Sequence, residues 1–114
     1  MENCIFCKIV DRKISSKIVY EDDTILVFED IEAQAPVHVL IIPKEHIESL
    51  NHIDEDTADI VSHIYTQIPS LAKKLGIYDS GYRVVVNCGK DGGQSVGHLH
   101  YHVLGGRSLT WPPG

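Results

Sequence analysis

The chain has 114 residues and a formal net charge of −6, from 16 acidic and 10 basic side chains. Hydrophobic residues make up 43% and charged residues 23%, a balance that excludes a disordered chain and predicts one globular domain over residues 1–114. The basic residues are scattered along the chain, so we expect no nucleic-acid groove. A small anionic ligand remains compatible with this charge, because backbone amides and imidazoles can hold a phosphate group.

Three features bear on where the protein acts. The longest apolar stretch, 37–43, is far shorter than the ~20 residues of a membrane-spanning helix. No basic segment followed by an apolar core stands at the start, so we expect neither a secretory signal nor a membrane partner. The cysteines number three, and an odd count fits a reducing compartment better than a disulfide framework. Together these features predict a cytoplasmic protein.

Strand-forming residues recur in five segments of the chain. These are 17–21, 24–29, 37–43, 82–87 and 98–104. Asp22-Asp23 is expected to join the first two segments as a hairpin. The third segment is rich in β-branched residues, which predicts a buried strand that ends at Pro43. With one main helix and mostly short connections, the pattern predicts an α+β fold, with an antiparallel sheet and helices on one face.

One strong helical period covers residues 54–75, where apolar side chains recur every three or four positions. Asp54 is suited to cap the start of this helix, and Gly76 is suited to the position after its end. Pro69 lies inside the period and removes one backbone donor, so we expect a kink or a break in the turn before it.

Three of the seven histidines alternate with apolar residues near the end of the chain. In a strand, His98, His100 and His102 would share one face. An exposed polar stripe is one explanation, but Thr, Lys or Glu would serve there equally well, whereas imidazole supplies metal and phosphoryl chemistry. The preceding loop contains Gly92-Gly93-Gln94-Ser95, whose backbone can approach an anion closely. The two features together predict a phosphate site.

Residues 98–104 resemble the H-φ-H-φ-H-φ-φ signature (φ apolar) of the histidine triad (HIT) family. Residues 92–96 and 105–107 and the final Trp111-Pro112-Pro113-Gly114 resemble its nucleotide-binding Hint branch. Further similar segments are 35–38, 42–47 and 82–87, so the resemblance spans nearly the whole chain. It implies a five-stranded antiparallel sheet with one long and one short helix, and a homodimer whose sheets join across the subunits.

The resemblance also implies hydrolysis of purine nucleoside 5′-monophosphates linked to an amine or another leaving group. His100 matches the nucleophile that forms a nucleotidyl-histidine intermediate, and the carbonyl group of His98 would hold its other ring nitrogen. His38 and His102 would donate to the phosphate oxygens, and Ser95 would lie near the departing amine. No metal is expected to take part in this chemistry.

A nucleoside pocket is implied in the same way. Asp30 matches the acid that binds the ribose hydroxyls, although an acid at a strand end also caps turns. The other positions that match substrate-contacting residues are Ile5, Phe6, Ile9, Phe28, Ile31, Asn87, Gly93 and Gln94. For the five apolar residues among them, plain core packing is an equally good explanation.

Cys4-Ile5-Phe6-Cys7 is a second motif, and such a pair in a reduced protein is either a redox pair or half a metal site. A redox pair is expected at a helix start within a βαβ unit, and the sequence around residue 4 predicts neither. Two buried free thiols are the remaining alternative. Bacterial-type members of the family and the related uridylyltransferases imply a structural zinc ion, held by Cys4, Cys7, His46 and His98.

Two positions depart from the family pattern. Gly97 stands where close relatives often carry an aromatic residue, which predicts a more open or a more flexible pocket wall, and Pro69 interrupts the main helix. The leading interpretation is a purine nucleoside phosphoramidase that also accepts related acyl-AMP compounds. The alternatives are a diadenosine polyphosphate hydrolase, or a nucleotide- or zinc-binding regulatory module with little catalysis. Cys88, His52 and His63 are expected to have no role in the site.

Overall fold

The computed structural model describes residues 3–114 and confirms the predicted α+β class. The strands are β1 (Ile18–Glu21), β2 (Ile25–Glu29), β3 (Val37–Pro43), β4 (Tyr82–Val86) and β5 (Tyr101–Gly105). The helices are α1 (Ile5–Val10) and α2 (Ala58–Lys74), and a short 3-10 helix covers Leu50–His52. Within residues 3–114, no helix combines the length and the apolar character that crossing a membrane would require.

The five strands form one antiparallel sheet in the order β1-β2-β3-β5-β4. Strand β3 therefore lies at the centre, while β1 and β4 are the two edges. In the β3–β5 ladder, His38 pairs with Leu104 and Leu40 pairs with His102. Paired residues share a face of the sheet, as do residues two positions apart, so this register makes His38 and His102 diagonal neighbours on one face.

The two helices cover opposite faces of the sheet, so the expectation of helices on one face was wrong. Alternate residues of β2 and β3 enter two separate apolar clusters. The cluster with α2 includes Ile25, Val27, Val39, Ile41, Ile64, Ile68 and Leu71. The cluster with α1 includes Phe6, Ile9, Leu26, Phe28, Leu40 and Ile42. Because both faces of these strands are buried, their apolar runs are nearly continuous, and no alternation separates one face from the other.

Helix α2 begins four residues later than predicted, at Ala58. The Asp54 side chain caps a preceding turn instead of the helix, because its Oδ1 accepts from the amides of Asp56 (2.9 Å) and Thr57 (3.1 Å). At the other end, Gly76 follows the helix with φ +75°, a left-handed conformation that glycine adopts without strain. The predicted stop at Gly76 is thus confirmed, and the predicted start is wrong.

Pro69 lies inside α2 without breaking it. The proline removes the amide that would donate to the carbonyl group of Tyr65. Both residues are exposed, so water can take the place of the missing donor. The helix continues for five residues to Lys74 because its opposite side stays buried against the sheet.

The last strand begins at Tyr101, three residues after the predicted start at His98. In the segment just before it, the amide of Leu99 donates to the carbonyl oxygen of Ile47 at 2.6 Å. Residues 98–100 are therefore held by the chain that follows β3 and not by the sheet ladder. Only His102 of the triad belongs to β5, so the predicted start of the strand was wrong. The three imidazoles still lie on one side of the sheet as predicted, because Phe6 of α1 packs against His98 and His100, and the His100 ring lies beside that of His102.

Candidate active site and metal centre

The triad histidines and His38 meet on the α1 side of the sheet. Nε2 of His38 lies 2.9 Å from Nδ1 of His102, and the ring centroids of His100 and His102 are 5.2 Å apart. His38, His98 and His100 are buried, and His102 is half-buried. This burial contradicts the alternative explanation of an exposed polar stripe.

His100 is held in one tautomer by the backbone. Its Nδ1 lies 2.7 Å from the carbonyl oxygen of His98, which can only accept a hydrogen bond. The ring proton must therefore lie on Nδ1, and Nε2 of the neutral ring carries a free lone pair. His100 also lines a cavity, so this lone pair belongs to a residue that a ligand can reach.

His38 and His102 form a directed chain of hydrogen bonds. The amide of Gln34 donates to Nδ1 of His38 at 3.0 Å, so the proton of His38 lies on Nε2. That proton is donated to Nδ1 of His102, which leaves the His102 proton on Nε2. His102 is thus a hydrogen-bond donor at its free nitrogen. His38 was expected to donate to phosphate directly, but its Nε2–H donates to Nδ1 of His102.

Both imidazoles of this chain have lowered pKa values. Burial lowers the pKa of His102 to about 4, with further lowering from the neighbouring His100 and His38, and the Asp30 carboxylate opposes the shift. Burial also lowers the pKa of His38 against the opposing charge of Asp30. The neutral forms therefore dominate near pH 7, in agreement with the tautomers derived from the hydrogen bonds.

A cavity of about 500 Å³ opens in front of these histidines, within the range of small-molecule sites. His38, His100 and His102 line its polar end. All five apolar residues predicted for a nucleoside pocket line it as well: Ile5, Phe6, Ile9, Phe28 and Ile31. Three of the five, Phe6, Ile9 and Phe28, are also buried core residues, so pocket lining and core packing are not exclusive here.

Asp30 lies at the junction between the histidines and the rest of the cavity. Its Oδ2 is 3.4 Å from Nε2 of His38 and 3.9 Å from Nδ1 of His102. Its Oδ1 accepts from the amide of Glu32 at 2.8 Å, which is the turn-capping contact considered above. Capping occupies only one oxygen, so the carboxylate can still accept hydrogen bonds from a ligand.

The loop 88–97 is fixed by the side chain of Gln94. The amide nitrogen of Gln94 donates to the carbonyls of Glu48 (2.8 Å) and Val96 (2.9 Å), and its oxygen accepts from the amide of Gly89 (3.0 Å). Gln94 is therefore occupied by the protein, and neither it nor Gly93 lines the cavity. A Cβ atom at Gly92 would overlap the carbonyl oxygen of Cys88, so this tight loop needs glycine there.

Ser95 is the loop residue that reaches the cavity, and it is exposed. It also lines a second, open cavity of about 730 Å³, which includes His46, Glu48 and Gly97. A Cβ atom at Gly97 would meet nothing within 4 Å, so this wall is open, as expected. Ser95 thus stands between two spaces that a ligand could occupy together.

Asn87 does not line the cavity that contains His38, His100 and His102 of the same chain. It follows β4 and lines a separate cavity of about 410 Å³ together with Arg83, Arg107 and the terminal Gly114. Its predicted contact with substrate stays a prediction.

Eight further cavity residues were missed from the sequence: Ile14, Ser15, Ser16, Glu29, Glu32, Gln34, Leu40 and Val96. Leu40 could have been found, because it lies two positions after His38 in a predicted strand and so shares its face. Ser16 carries no motif that marks it. Among the described residues, its hydroxyl is the one buried side-chain nitrogen or oxygen atom without a hydrogen-bond partner.

A second cluster brings together Cys4, Cys7, His46 and His98, whose donor atoms all lie within 4.8 Å of one another. Nδ1 of His98 is 3.3 Å from Sγ of Cys4 and 3.6 Å from Sγ of Cys7. Nδ1 of His46 is 3.3 Å from Sγ of Cys7. Zinc bonds of about 2.0–2.3 Å in a tetrahedron put donor atoms about 3.3–3.8 Å apart. The four residues can therefore hold a metal ion.

The orientation of His98 supports metal binding. Its Nε2 donates to the carbonyl oxygen of Pro43 at 2.8 Å, which leaves the lone pair of Nδ1 facing the cysteines. A group formed by Asp30, His38 and His102 also has donor atoms close together. There, however, the Gln34 amide forces the proton of His38 onto Nε2, where a metal would need a lone pair. The first cluster fits a metal and the second does not.

The cysteine pair stands at a helix start after all. Cys4 is the N-cap of α1, and its Sγ accepts from the amide of Cys7 at 3.3 Å, so the expectation that no helix begins there was wrong. The setting is still not βαβ, because β1 and β2, which follow α1, form an antiparallel hairpin. The pKa of the Cys7 thiol is raised to about 11, mainly by burial and to a smaller extent by the hydrogen bond and the charge of Cys4. A reactive redox cysteine has a lowered thiol pKa instead.

Comparisons with known proteins agree with this fold. A family model described as scavenger mRNA decapping enzyme C-term binding matches residues 3–110. A HIT-like protein of Synechococcus elongatus is 48% identical over 113 residues, which cover 99% of this chain and 98% of that protein.

Two solved bacterial structures share the fold over almost their full length. A HIT family hydrolase from Legionella pneumophila is 47% identical, with a TM-score of 0.96 over 98% of this chain and 100% of that one. A histidine triad protein from Clostridium difficile is 50% identical, with a TM-score of 0.93 over 96% of each chain. The chain belongs to the histidine triad family, and its five-stranded α+β architecture is the fold of these relatives.

Proposed function

We propose that this protein is a purine nucleoside phosphoramidase, which hydrolyses the P–N bond of nucleoside 5′-monophosphate phosphoramidates and related acyl-AMP compounds. The observation that carries the proposal is His100, whose Nδ1–H bond to the His98 carbonyl leaves Nε2 free beside the cavity. A neutral imidazole is a good nucleophile toward phosphorus and, once phosphorylated, a good leaving group. The Legionella relative, named as a HIT family hydrolase, supports hydrolysis as the reaction class.

The reaction has two displacement steps. Nε2 of His100 attacks phosphorus, the P–N bond breaks, and the departing amine takes up a proton with the help of Ser95. Water then attacks the nucleotidyl-histidine, which releases the nucleoside monophosphate and restores His100. The Nε2–H of His102 donates to a phosphate oxygen as charge develops there, and His38 acts by fixing the tautomer of His102.

The substrate spans both sides of Ser95. The purine lies among the apolar side chains of the 500 Å³ cavity, and Asp30 accepts hydrogen bonds from the ribose hydroxyls. The leaving group extends into the open cavity beside Gly97, whose missing side chain allows leaving groups of different sizes. Cytoplasmic location and a homodimeric assembly complete the proposal.

We further propose that the metal at Cys4, Cys7, His46 and His98 is zinc, because two thiolates and two imidazoles are its preferred structural ligands. Bound zinc would hold α1 to the segments that carry the two histidines. Elemental analysis of protein purified without added metal tests this assignment, with one zinc per chain as the expected result. Less than a tenth of that amount, together with alkylation of Cys4 and Cys7 under native conditions, would contradict it.

The deciding experiment compares wild type and His100→Ala on an adenosine phosphoramidate and on a diadenosine polyphosphate. We expect wild type to have the higher kcat/KM on the phosphoramidate, and His100→Ala to lose roughly a thousandfold or more on both. Mass spectrometry of wild type quenched during turnover should detect the nucleotidyl adduct. His52→Ala, at a histidine whose side chain is 53% exposed, is the matched control.

Each other outcome points to a different conclusion. Equal rates for wild type and His100→Ala would remove His100 as the nucleophile. Preference for the diadenosine compound would place the protein among polyphosphate hydrolases. Nucleotide binding without turnover of either compound would indicate a regulatory module.

A further inference from the structure

His98 connects the metal centre to the nucleophile through three separate contacts. Its Nδ1 faces Cys4 at 3.3 Å, and its Nε2 donates to the Pro43 carbonyl at 2.8 Å. Its own carbonyl oxygen accepts the proton of His100 Nδ1 at 2.7 Å. His98 is fully buried and His100 is 3% exposed, so neither ring has water to replace these partners. One residue thus binds the metal with its side chain and fixes the catalytic tautomer with its backbone.

Phe6 forms a second connection between the two sites. It stands between Cys4 and Cys7 in α1, so the same helix carries two metal ligands and this ring. The ring packs edge-to-face against His98 and His100, with centroid distances of 5.8 Å and 5.1 Å. With only six residues, α1 is too short to be stable by itself, so its position depends on what holds its side chains.

We propose that the cysteine–histidine centre positions the nucleophile, with His98 and Phe6 as positioning residues for His100. An occupied centre fixes α1 and the His98 backbone together, and so fixes both the acceptor for His100 Nδ1–H and the wall against which its ring packs. An empty centre releases α1 and His98, and His100 then spends part of its time in the other tautomer or turned away from the phosphate. The predicted loss of catalytic rate rests on the proposed function, whereas the predicted change in the tautomer of His100 does not.

The kinetic consequence is a loss in kcat together with a rise in KM. KM rises because three of the five apolar residues proposed to contact the purine, Ile5, Phe6 and Ile9, lie on α1, which the metal ligands hold. Removing a partner that orients an active-site group costs roughly 10–100-fold in activity. A metal that only stabilised the fold would lower the melting temperature and leave the kcat of the folded fraction unchanged.

The test uses three serine variants at the three cysteines. Cys4→Ser and Cys7→Ser each remove one metal ligand, and the first keeps an oxygen at the N-cap of α1, so the helix start is preserved. Cys88→Ser is the matched control, because Cys88 lies outside the centre. Each variant is assayed for metal content, melting temperature, kcat and KM, and the ring nitrogens of His100 are followed by NMR with 15N-labelled histidine.

The expected result for Cys4→Ser and Cys7→Ser is loss of metal, a 10–100-fold fall in kcat with a rise in KM, and a shift of the His100 nitrogen signals away from the Nδ1–H tautomer. Cys88→Ser should match wild type in every readout. Folded, metal-free variants with wild-type kcat and unchanged His100 signals would overturn the proposal. So would wild type that takes up no zinc.

If the ligand variants do not fold, wild type loaded with Zn²⁺ is compared with wild type loaded with the larger Cd²⁺ ion. We expect the His100 ring signals to differ between the two loaded forms, and identical spectra would overturn the coupling. A protein whose spectra respond to the metal but which cleaves no phosphoramidate would contradict the proposed function and leave the coupling intact.

Discussion

Each histidine near the cavity differs from the others in what its two ring nitrogens contact. A carbonyl partner puts the proton on one nitrogen and frees the other, as in His98 and His100. An amide partner does the reverse, as in His38. These backbone contacts therefore leave a different ring nitrogen free in each histidine, which supports the separate roles proposed for them: a metal ligand, a nucleophile and a relay of hydrogen bonds.

The lowered pKa of His102 predicts a pH dependence of stability. The unfolded chain has an ordinary histidine pKa of about 6.5, and the folded value is about 4. Between these values the unfolded state binds more protons, so the free energy of unfolding falls as the pH drops from 6.5 toward 4. His102 accounts for ~1–3 kcal/mol of this fall.

Urea unfolding between pH 7 and pH 4.5 checks this prediction. His102→Gln cannot take up the proton, so its stability should depend less steeply on pH than that of wild type. Ser62→Ala, at an exposed position without a titratable group, serves as the control and should keep the wild-type slope. Parallel curves for wild type and His102→Gln would contradict the prediction.

Asp30→Asn tests the ribose contact. The amide keeps an oxygen that can accept from the Glu32 backbone, so the turn is preserved while the carboxylate charge is lost. Hydrogen bonds to charged groups contribute about 1.5–3 kcal/mol. We expect kcat/KM to fall roughly 10–100-fold on a ribonucleoside phosphoramidate and much less on its 2′,3′-dideoxy analogue. An equal fall on both substrates would show that Asp30 acts through the histidines instead.

At the scale of the elements, α2 shows how packing overrides a local signal. Proline is about 3 kcal/mol less favourable than alanine inside a helix, yet α2 runs through Pro69. Its inner face buries Ile64, Ile68 and Leu71 against the sheet. Burial of these side chains outweighs the local cost, and the exposed position of Pro69 limits that cost.

Pro69→Ala is therefore expected to stabilise the protein. The substitution restores an amide donor for the Tyr65 carbonyl, and a more flexible unfolded chain offsets part of the gain. We expect the free energy of unfolding to rise by about 1–2 kcal/mol, as measured by urea denaturation. Ser70→Ala, at the next exposed position, should change it by less than about 0.5 kcal/mol. A destabilised Pro69→Ala protein would show that the helix needs the shape that proline imposes.

At the scale of the whole molecule, the sheet has two edges of different character. Strand β1 is one edge, and it ends at Glu21, which pairs with Arg12 and Lys44, so charged side chains stand along this edge. Strand β4 is the other edge, and it carries a run of three valines, all half-buried. An apolar edge strand with free backbone groups can pair with another copy of itself. Strand β4 is therefore the edge at which we expect the sheets of two subunits to join.

Light scattering at micromolar concentration tests this dimer, with an expected mass of twice that of one chain. Val85→Lys adds a charge to β4, and charged side chains on an edge strand oppose pairing. The dimer of this variant should therefore dissociate at a higher protein concentration than the wild-type dimer does. Ile18→Lys adds the same charge to the opposite edge and should leave the mass unchanged. A monomeric wild type would contradict the prediction.

The amino-acid sequence by itself determined the strand segments, the long helix, and the alternation that marks the triad. It also showed the cysteine pair, because each of these features depends on neighbours along the chain. Only the tertiary structure decided that the helices lie on opposite faces and that β5 begins at Tyr101. It also brings together Cys4, Cys7, His46 and His98, a set that the family resemblance implied but that no spacing along the chain marks. The physical reason is that these last features depend on contacts between distant segments. A ring proton assigned by a backbone group, such as the His98 carbonyl facing His100, becomes known only when the chain has folded.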